Sequence, residues 1–304
     1  MPVLTRFLTR LATGFAAILL LTSPGFAPIG ARTVTKETLA KPALWVVRDK
    51  DTTLYLFGTI HVLRREVRWF HGPVRAAFDQ SSALVLETVP TDTEVAKTTA
   101  RLAIDANGPP LSEKLDAATR ARYFALLDRL GIPRAHLEPF HPWFAAVSLS
   151  IAPLEKLGYD PDAGVDEVLK NTATTKGKPV LALESVDEQL GFFAGLPEAT
   201  QVRFLTATIA EAEKAEAEIA RMVSEWSAGR PGALADDMND SLKDMPEIAE
   251  ALLYQRNRNW ATWIAHRMAQ PGTVFVAVGA GHLAGKGSVQ ELLAAKGLTV
   301  KRVE

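Results

Sequence analysis

Two turns of this 304-residue chain, Gly58-Thr59-Ile60-His61 and Gly279-Ala280-Gly281-His282, carry residues whose types and spacing could do chemistry. Each closes an apolar run, residues 54–57 in one case and 274–278 in the other. A glycine there lets the chain turn out of a sheet, through a positive φ or a close backbone approach. The histidine three residues later is then aimed from a rigid strand end. Two more apolar runs end in carboxylates: residues 83–86 lead to Glu87 and residues 180–183 to Glu184. Imidazole and carboxylate are donors that zinc, manganese and cobalt accept. A cation held by them would acidify bound water and polarise a carbonyl, and a remaining carboxylate could act as general base. Taken singly, each residue has a plainer explanation. A glycine turn after a strand is common, and Glu184, followed by Ser185 and Asp187, fits the first turn of a helix. The combination points to a site only if the four strands run parallel, because open α/β sheets bind ligands at the carboxyl ends of their strands.

The elements that must deliver these ends can be read from the hydrophobic pattern. Residues 43–48 and 53–57 form a strand pair around Asp49-Lys50-Asp51. The runs 83–86, 179–183 and 273–278 are continuously apolar, as expected of strands covered on both faces. Residues 298–303 alternate like an edge strand. Helical patterns occupy 73–80, 117–130, 142–157 (kinked by Pro153), 165–176, 197–228 and 246–268, with proline near most starts and glycine past several ends. Strand–helix alternation predicts an α/β fold: a mixed, largely parallel central sheet with helices on both faces. Residues 91–157 and 197–245 form a helical insertion over it. One domain is expected from 42 to 304.

Other polar residues are weighed beside these. Asp166, behind Asp160, Asp162 and Gly164, stands at a helix start, where an acid serves as a cap or as a helper to a site. Arg256 lies one turn before Trp260 and is either a solvated side chain stacked on that ring or a clamp for a substrate anion. His71 fits a helix start, and His141, between Phe140 and Pro142, is structural or lines the pocket. His136 and His266 read as surface residues, and Trp260 and Trp263 as core or pocket wall.

Composition narrows the class. The chain has no cysteine, which rules out disulfides, thiolate ligands and a cysteine nucleophile. With 34 basic and 35 acidic residues it lacks the basic excess of a nucleic-acid binder. No Gly-x-Ser-x-Gly, His-Glu-x-x-His or phosphate-binding loop occurs. Arg6 and Arg10 precede the apolar run 11–22, which Pro24, Gly25 and Pro28 break, and Ile29-Gly30-Ala31 fits a cleavage site. This is the layout of a secretory signal peptide over residues 1–31, shorter than a span of about 20 apolar residues. The expected location is periplasmic or secreted, with no stable membrane span after cleavage; an uncleaved anchor is the alternative.

A resemblance adds to this reading. Leu44-Trp45-Val46, the stretch Leu56-Phe57-Gly58-Thr59-Ile60-His61-Val62, the strand ending in Glu87, Gly164-Val165-Asp166, Gly177-Lys178-Pro179-Val180 with Leu183-Glu184, Arg256-Asn257, and Gly279-Ala280-Gly281-His282-Leu283 resemble, in order, the TraB/GumN family. That family is similar to Tiki-type metallopeptidases acting on Wnt proteins, and more distantly to erythromycin-esterase-like and haem-binding ChaN-like proteins. The resemblance implies a divalent metal ion (Mn, Co or Zn) held by His61, Glu87 and His282. It places Glu184, Asp166 and Arg256 in catalysis as base or further ligand, histidine-orienting group and substrate clamp. The activity implied is that of an exported metal-dependent hydrolase, a peptidase or amidase taking a peptide or small-molecule substrate. Two other classes remain open: a haem-, metal- or small-ligand-binding protein without turnover, and an envelope or polysaccharide assembly partner docking through the charged helix 197–228.

Overall fold

A computed structural model describes residues 38–304, apart from residue 213. The signal peptide expected over residues 1–31 lies outside the described residues. The strands are β1 (Thr38–Leu39), β2 (Leu44–Arg48), β3 (Thr52–Thr59), β4 (Val67–Arg68), β5 (Ala83–Leu86), β6 (Val180–Ala182), β7 (Gly272–Gly279) and β8 (Val300–Val303). β1 and β4 form a small parallel pair, and the other six make one sheet in the order β6-β5-β7-β3-β2-β8. The hairpin β2–β3 closes where Asp49 Oδ1 accepts the N–H groups of Asp51 and Thr52 at 3.1 and 2.8 Å, the use to which turn aspartates are commonly put.

β3, β7, β5 and β6 run parallel, while β2 is antiparallel to both its neighbours. The sheet is therefore mixed and largely parallel, as expected, and β8 is its edge strand. The register matters for function. Thr59 lies opposite Gly279, Leu86 opposite Ala277, and Ala182 opposite Leu86. Four strand ends thus finish along one sheet edge.

Side-chain alternation sorts the strands onto two cores. Tyr55, Phe57, Leu84, Leu86, Phe275 and Ala277 pack against helices Gly72–Gln80 and Val165–Thr175 on one face. Leu54, Leu56, Val85, Val274, Val276 and Val278 pack against Gln255–Arg267 and Val289–Ala295 on the other. A third core lies within the helical insertion, around Pro142–Lys156, whose interior Pro153 is tolerated in its last turn. No helix among the described residues is long and apolar enough to cross a membrane.

Some elements differ from the sequence reading. β3 extends to Thr59, so Gly58 is still inside the strand. A Cβ on Gly58 would stand 3.0 Å from both Cα and Cβ of Ala280. Of the two uses of glycine considered, close approach is the one realised: the two histidine turns lie against each other. The long helix expected over 197–228 is two, Glu198–Glu211 and Ala215–Ser227, which both pack on Pro142–Lys156. One straight rod would carry its second half away from the insertion core. The helix expected over 246–268 has a π-turn, Glu250–Tyr254, between Pro246–Ala249 and Gln255–Arg267. Helices Asp92–Leu102 and Val186–Ala194, each opened by a capping box (Thr91 with Glu94, Ser185 with Glu188), had no individual assignment in the sequence, nor did Pro231–Leu242.

Candidate active site

Along the carboxyl edge of the sheet the residues follow strand order: Glu184 after β6, Glu87 after β5, His282 after β7 and His61 after β3. The backbone pairing of β5 and β6 runs on past the strands, with the Glu184 N–H donating to the Glu87 carbonyl at 2.9 Å. The two carboxylates are thereby adjacent.

His61 is positioned from the Val165–Thr175 side of the sheet. The Val165 N–H donates to the Ile60 carbonyl at 2.9 Å, which ties the helix start to the histidine turn. Gly164 makes this approach feasible, because a Cβ there would fall 2.0 Å from the His61 carbonyl oxygen. Asp166, one residue into the helix, then meets His61 Nδ1 with Oδ2 at 2.7 Å. Burial alone would depress the imidazole, but the charge and hydrogen bond of Asp166, with Glu87 beyond, raise it to about 9. Nε2 is left facing the pocket.

His282 is positioned from the opposite face. Asn257, in the first turn of Gln255–Arg267, donates Nδ2 to the Gly287 carbonyl at 2.8 Å and so turns its own oxygen to His282 Nδ1 at 2.6 Å. Nδ1 therefore carries the proton and Nε2 the lone pair. Arg256 Nη1, which can only donate, faces that lone pair at 3.3 Å. Burial first, and then the Arg256 charge, hold His282 down to about 3, so it is a neutral imidazole. The indole of Trp260 packs on the ring, 4.4 Å between centroids.

Arg256 joins the two carboxylates. Nη2 donates to Glu87 Oε2 at 2.6 Å and to Glu184 Oε2 at 2.9 Å, and Nε reaches both Glu184 oxygens at 3.0 and 3.1 Å. The π-turn just before it sets the register that turns Arg256, Asn257 and Trp260 inward together, as such bulges often do at functional sites. Arg256 is not a solvated side chain; it is 5% exposed and stacked over Trp260 at 4.6 Å. Trp260 Nε1 donates to Glu184 Oε1 at 2.8 Å. Both Glu184 oxygens are thus engaged by the protein, and Glu184 does not line the pocket. Burial raises its carboxyl despite Arg256.

Glu87 is the carboxylate that reaches the pocket. Its Oε2 accepts from Arg256 and, at 3.2 Å, from Gln189; its Oε1 accepts the Gly279 N–H at 2.6 Å and keeps a lone pair. Burial opposes the anion, but Arg256, the two histidines and the Gly279 N–H hold it down to about 2. A Cβ built on Gly279 would lie 3.1 Å from Glu87 Oε1, 3.5 Å from His282 Cδ2 and 3.8 Å from His61 Nε2. The second turn glycine therefore leaves open the point on which the three side chains converge. His61, Glu87, Arg256 and His282 all line a pocket of about 280 Å³ beneath the helical insertion.

As a donor set these residues fit a divalent cation. Two imidazoles present Nε2 while an acceptor fixes Nδ1, the usual outer-shell arrangement for metal-ligating histidine. Asp166, Glu87 and Glu184 set three carboxylates against the single guanidinium of Arg256, an excess that a doubly charged ion would offset. As the side chains stand, Arg256 covers the His282 lone pair. Among the described residues the tightest carboxylate–imidazole group is elsewhere: Asp105, His141 and Glu198 bring ligand atoms within 4.8 Å of one another. There Lys114 donates to both acids and fills the centre, so His141 belongs to a structural ion cluster outside the pocket. His71 caps helix Gly72–Gln80 and bonds the Ala40 carbonyl at 2.9 Å, His266 is exposed, and His136 is half-buried.

Asn257 and Gln189 had no role assigned from the sequence. The one available signal for Asn257 was its place beside Arg256, one turn ahead of Trp260; nothing distinguishes Gln189 from the other polar residues of its helix.

Comparison with known proteins agrees with the layout. A family model described as the TraB/PrgY/gumN family matches residues 43–302. Two relatives, each called uncharacterized protein YbaP, come from Escherichia coli (strain K12) and Shigella flexneri. Each is 24% identical over 258 residues, covering 83% of this chain and 92% of the relative. The chain belongs to the TraB/PrgY/gumN family.

Proposed function

We propose that this protein is an exported metal-dependent hydrolase, a peptidase or amidase, with His61, Glu87 and His282 as metal ligands. The observation that carries the reading is the pair of strand-end imidazoles, each oriented through Nδ1 and each meeting Glu87 at the vacant side of Gly279. A bound divalent cation would supply Lewis acidity, polarising a carbonyl and acidifying water. The chain's own residues do the rest. Asp166 and Asn257 hold the two rings in the orientation that presents Nε2. Arg256 fixes Glu87, and Glu184 with Trp260 fixes Arg256, so these three are positioning residues. Glu87 Oε1, with its free lone pair, is the atom that can ligate or take a proton. The insertion roof keeps bulk water from the pocket, which strengthens every charge interaction inside it.

Ion loading has a structural requirement: the Arg256 guanidinium must leave the His282 lone pair and remain on the carboxylates. The test is elemental analysis of the chain from residue 32 to 304 after refolding with zinc, manganese and cobalt in turn. We expect about one ion per chain for the best metal and none for His61→Ala, His282→Ala. Equal, near-zero metal in both proteins would overturn the reading and favour ligand binding without turnover.

A further inference from the structure

The pocket has a polar floor and an apolar wall. The floor is the cluster of His61, Glu87, Arg256 and His282. The wall comes from the insertion: Ile151 and Leu154 on Pro142–Lys156, Ile219 and Met222 on Ala215–Ser227, and Leu234 on Pro231–Leu242. Each pair has i, i+3 spacing and so shares one helix face. Ser150, a polar member of the wall, donates its hydroxyl to the Val147 carbonyl at 2.8 Å. No charged side chain of the described residues lines the pocket outside the floor.

The floor offers nothing to a charged ligand group either. Arg256 is committed to Glu87 and Glu184, and His61 to Asp166. An ammonium or carboxylate pushed against this wall would lose its water without gaining a partner, which is strongly unfavourable. Size restricts the ligand further. About 280 Å³ is the room of roughly nine waters at about 30 Å³ each. That suits one medium side chain with its adjoining amide, and it is too little for a long acyl chain. Met222, flexible and polarizable, lets the wall adapt to branched or linear shapes.

We propose that this wall is a specificity pocket for the uncharged aliphatic side chain of a peptide, seating the residue beside the amide bond presented to His61 and Glu87. The choice of bond rests on the hydrolase reading; the choice of side chain does not. The Leu154 and Met222 side chains set the selectivity, since both are half-buried on the wall and touch none of the floor's hydrogen bonds.

The experiment is calorimetric binding to the purified, chelator-treated protein, which needs neither metal nor turnover. The probes are the N-acetyl amides of leucine, phenylalanine, aspartate and lysine, with N-dodecanoylglycine amide as the acyl probe. Leucine amide should bind about tenfold or more tighter than the aspartate and lysine amides, a difference the lost partner energy readily covers. Leu154→Asp should abolish that ranking, and Met222→Ala should shift preference from leucine towards phenylalanine by widening the pocket. Circular dichroism checks folding of both variants, and Met222→Ala carries the test if Leu154→Asp does not fold. Equal or tighter binding of the aspartate or lysine amide would overturn the proposal, as would tighter binding of the dodecanoyl probe or an unchanged ranking in folded variants. Leucine preference in a protein that binds no metal would sink the hydrolase reading alone; metal binding without leucine preference would sink this proposal alone.

Discussion

At the scale of single residues, the site works through fixed tautomers. His61 is raised to about 9 because Asp166 and Glu87 outweigh its burial. Asp166→Asn removes the nearest charge and leaves burial, which favours the neutral ring. In the metal-free protein the His61 imidazole resonances should then titrate well below the wild-type midpoint, with His282, bound to Asn257, unaffected. An unchanged His61 midpoint by NMR would show that Asp166 does not set its charge. His61, His282 and Glu87 could be picked out in the sequence because each directly follows an apolar run at a place where a merely structural strand has no need of a polar side chain. Asp166 could be noticed but not paired, since the contact spans 105 positions. Arg256 could be named but not placed: whether a mid-helix arginine meets solvent or carboxylates depends on which helix face is buried, and the π-turn before it shifts that face.

At the scale of elements, the two histidine turns are one unit because glycines let backbones touch. Gly58→Ala should force Ala280 aside from a 3.0 Å contact, an overpacking change that costs about 1–3 kcal/mol. Ala280→Gly in the same chain should recover much of the loss, because it deletes the Cβ that is struck. Denaturant unfolding of both variants checks this; an additive or larger loss in the double variant would mean that the two turns are not in register. Gly164→Ala should be worse, with a Cβ 2.0 Å from the His61 carbonyl and a backbone atom as the obstacle. The strands and most helices were readable because a period of two and a period of 3.6 leave clear hydrophobic traces. The break at residues 212–214 was not, because the acidic and alanine-rich sequence on either side keeps helical character across it. Only packing on the insertion core ends one helix and starts the next.

At the scale of the molecule, the same buried charges that prepare the floor for a cation should shape stability against pH when the cation is absent. His282 is held at about 3 against an ordinary 6.5, so between those values the unfolded chain binds more protons, and stability falls as pH drops below about 6.5. Glu87, held at about 2 against 4.5, adds to the acid loss further down. His61 has the opposite sign. Raised to about 9, it binds a proton in the folded state that the unfolded chain has released, so its contribution is full below 6.5 and disappears as pH rises through 9. The chelated protein should therefore be most stable near about pH 6.5 and lose stability on both sides. Urea unfolding between pH 4 and 9 measures this directly. His61→Ala should remove the alkaline decline and leave the acid limb, since Glu87 and His282 remain. Saturating metal should also flatten the alkaline limb, because a ligating imidazole has no proton left to lose, and should raise the midpoint by mass action. If added zinc, manganese or cobalt leaves the whole profile unmoved, the buried charges serve only one another, and the site does not draw its organisation from an ion.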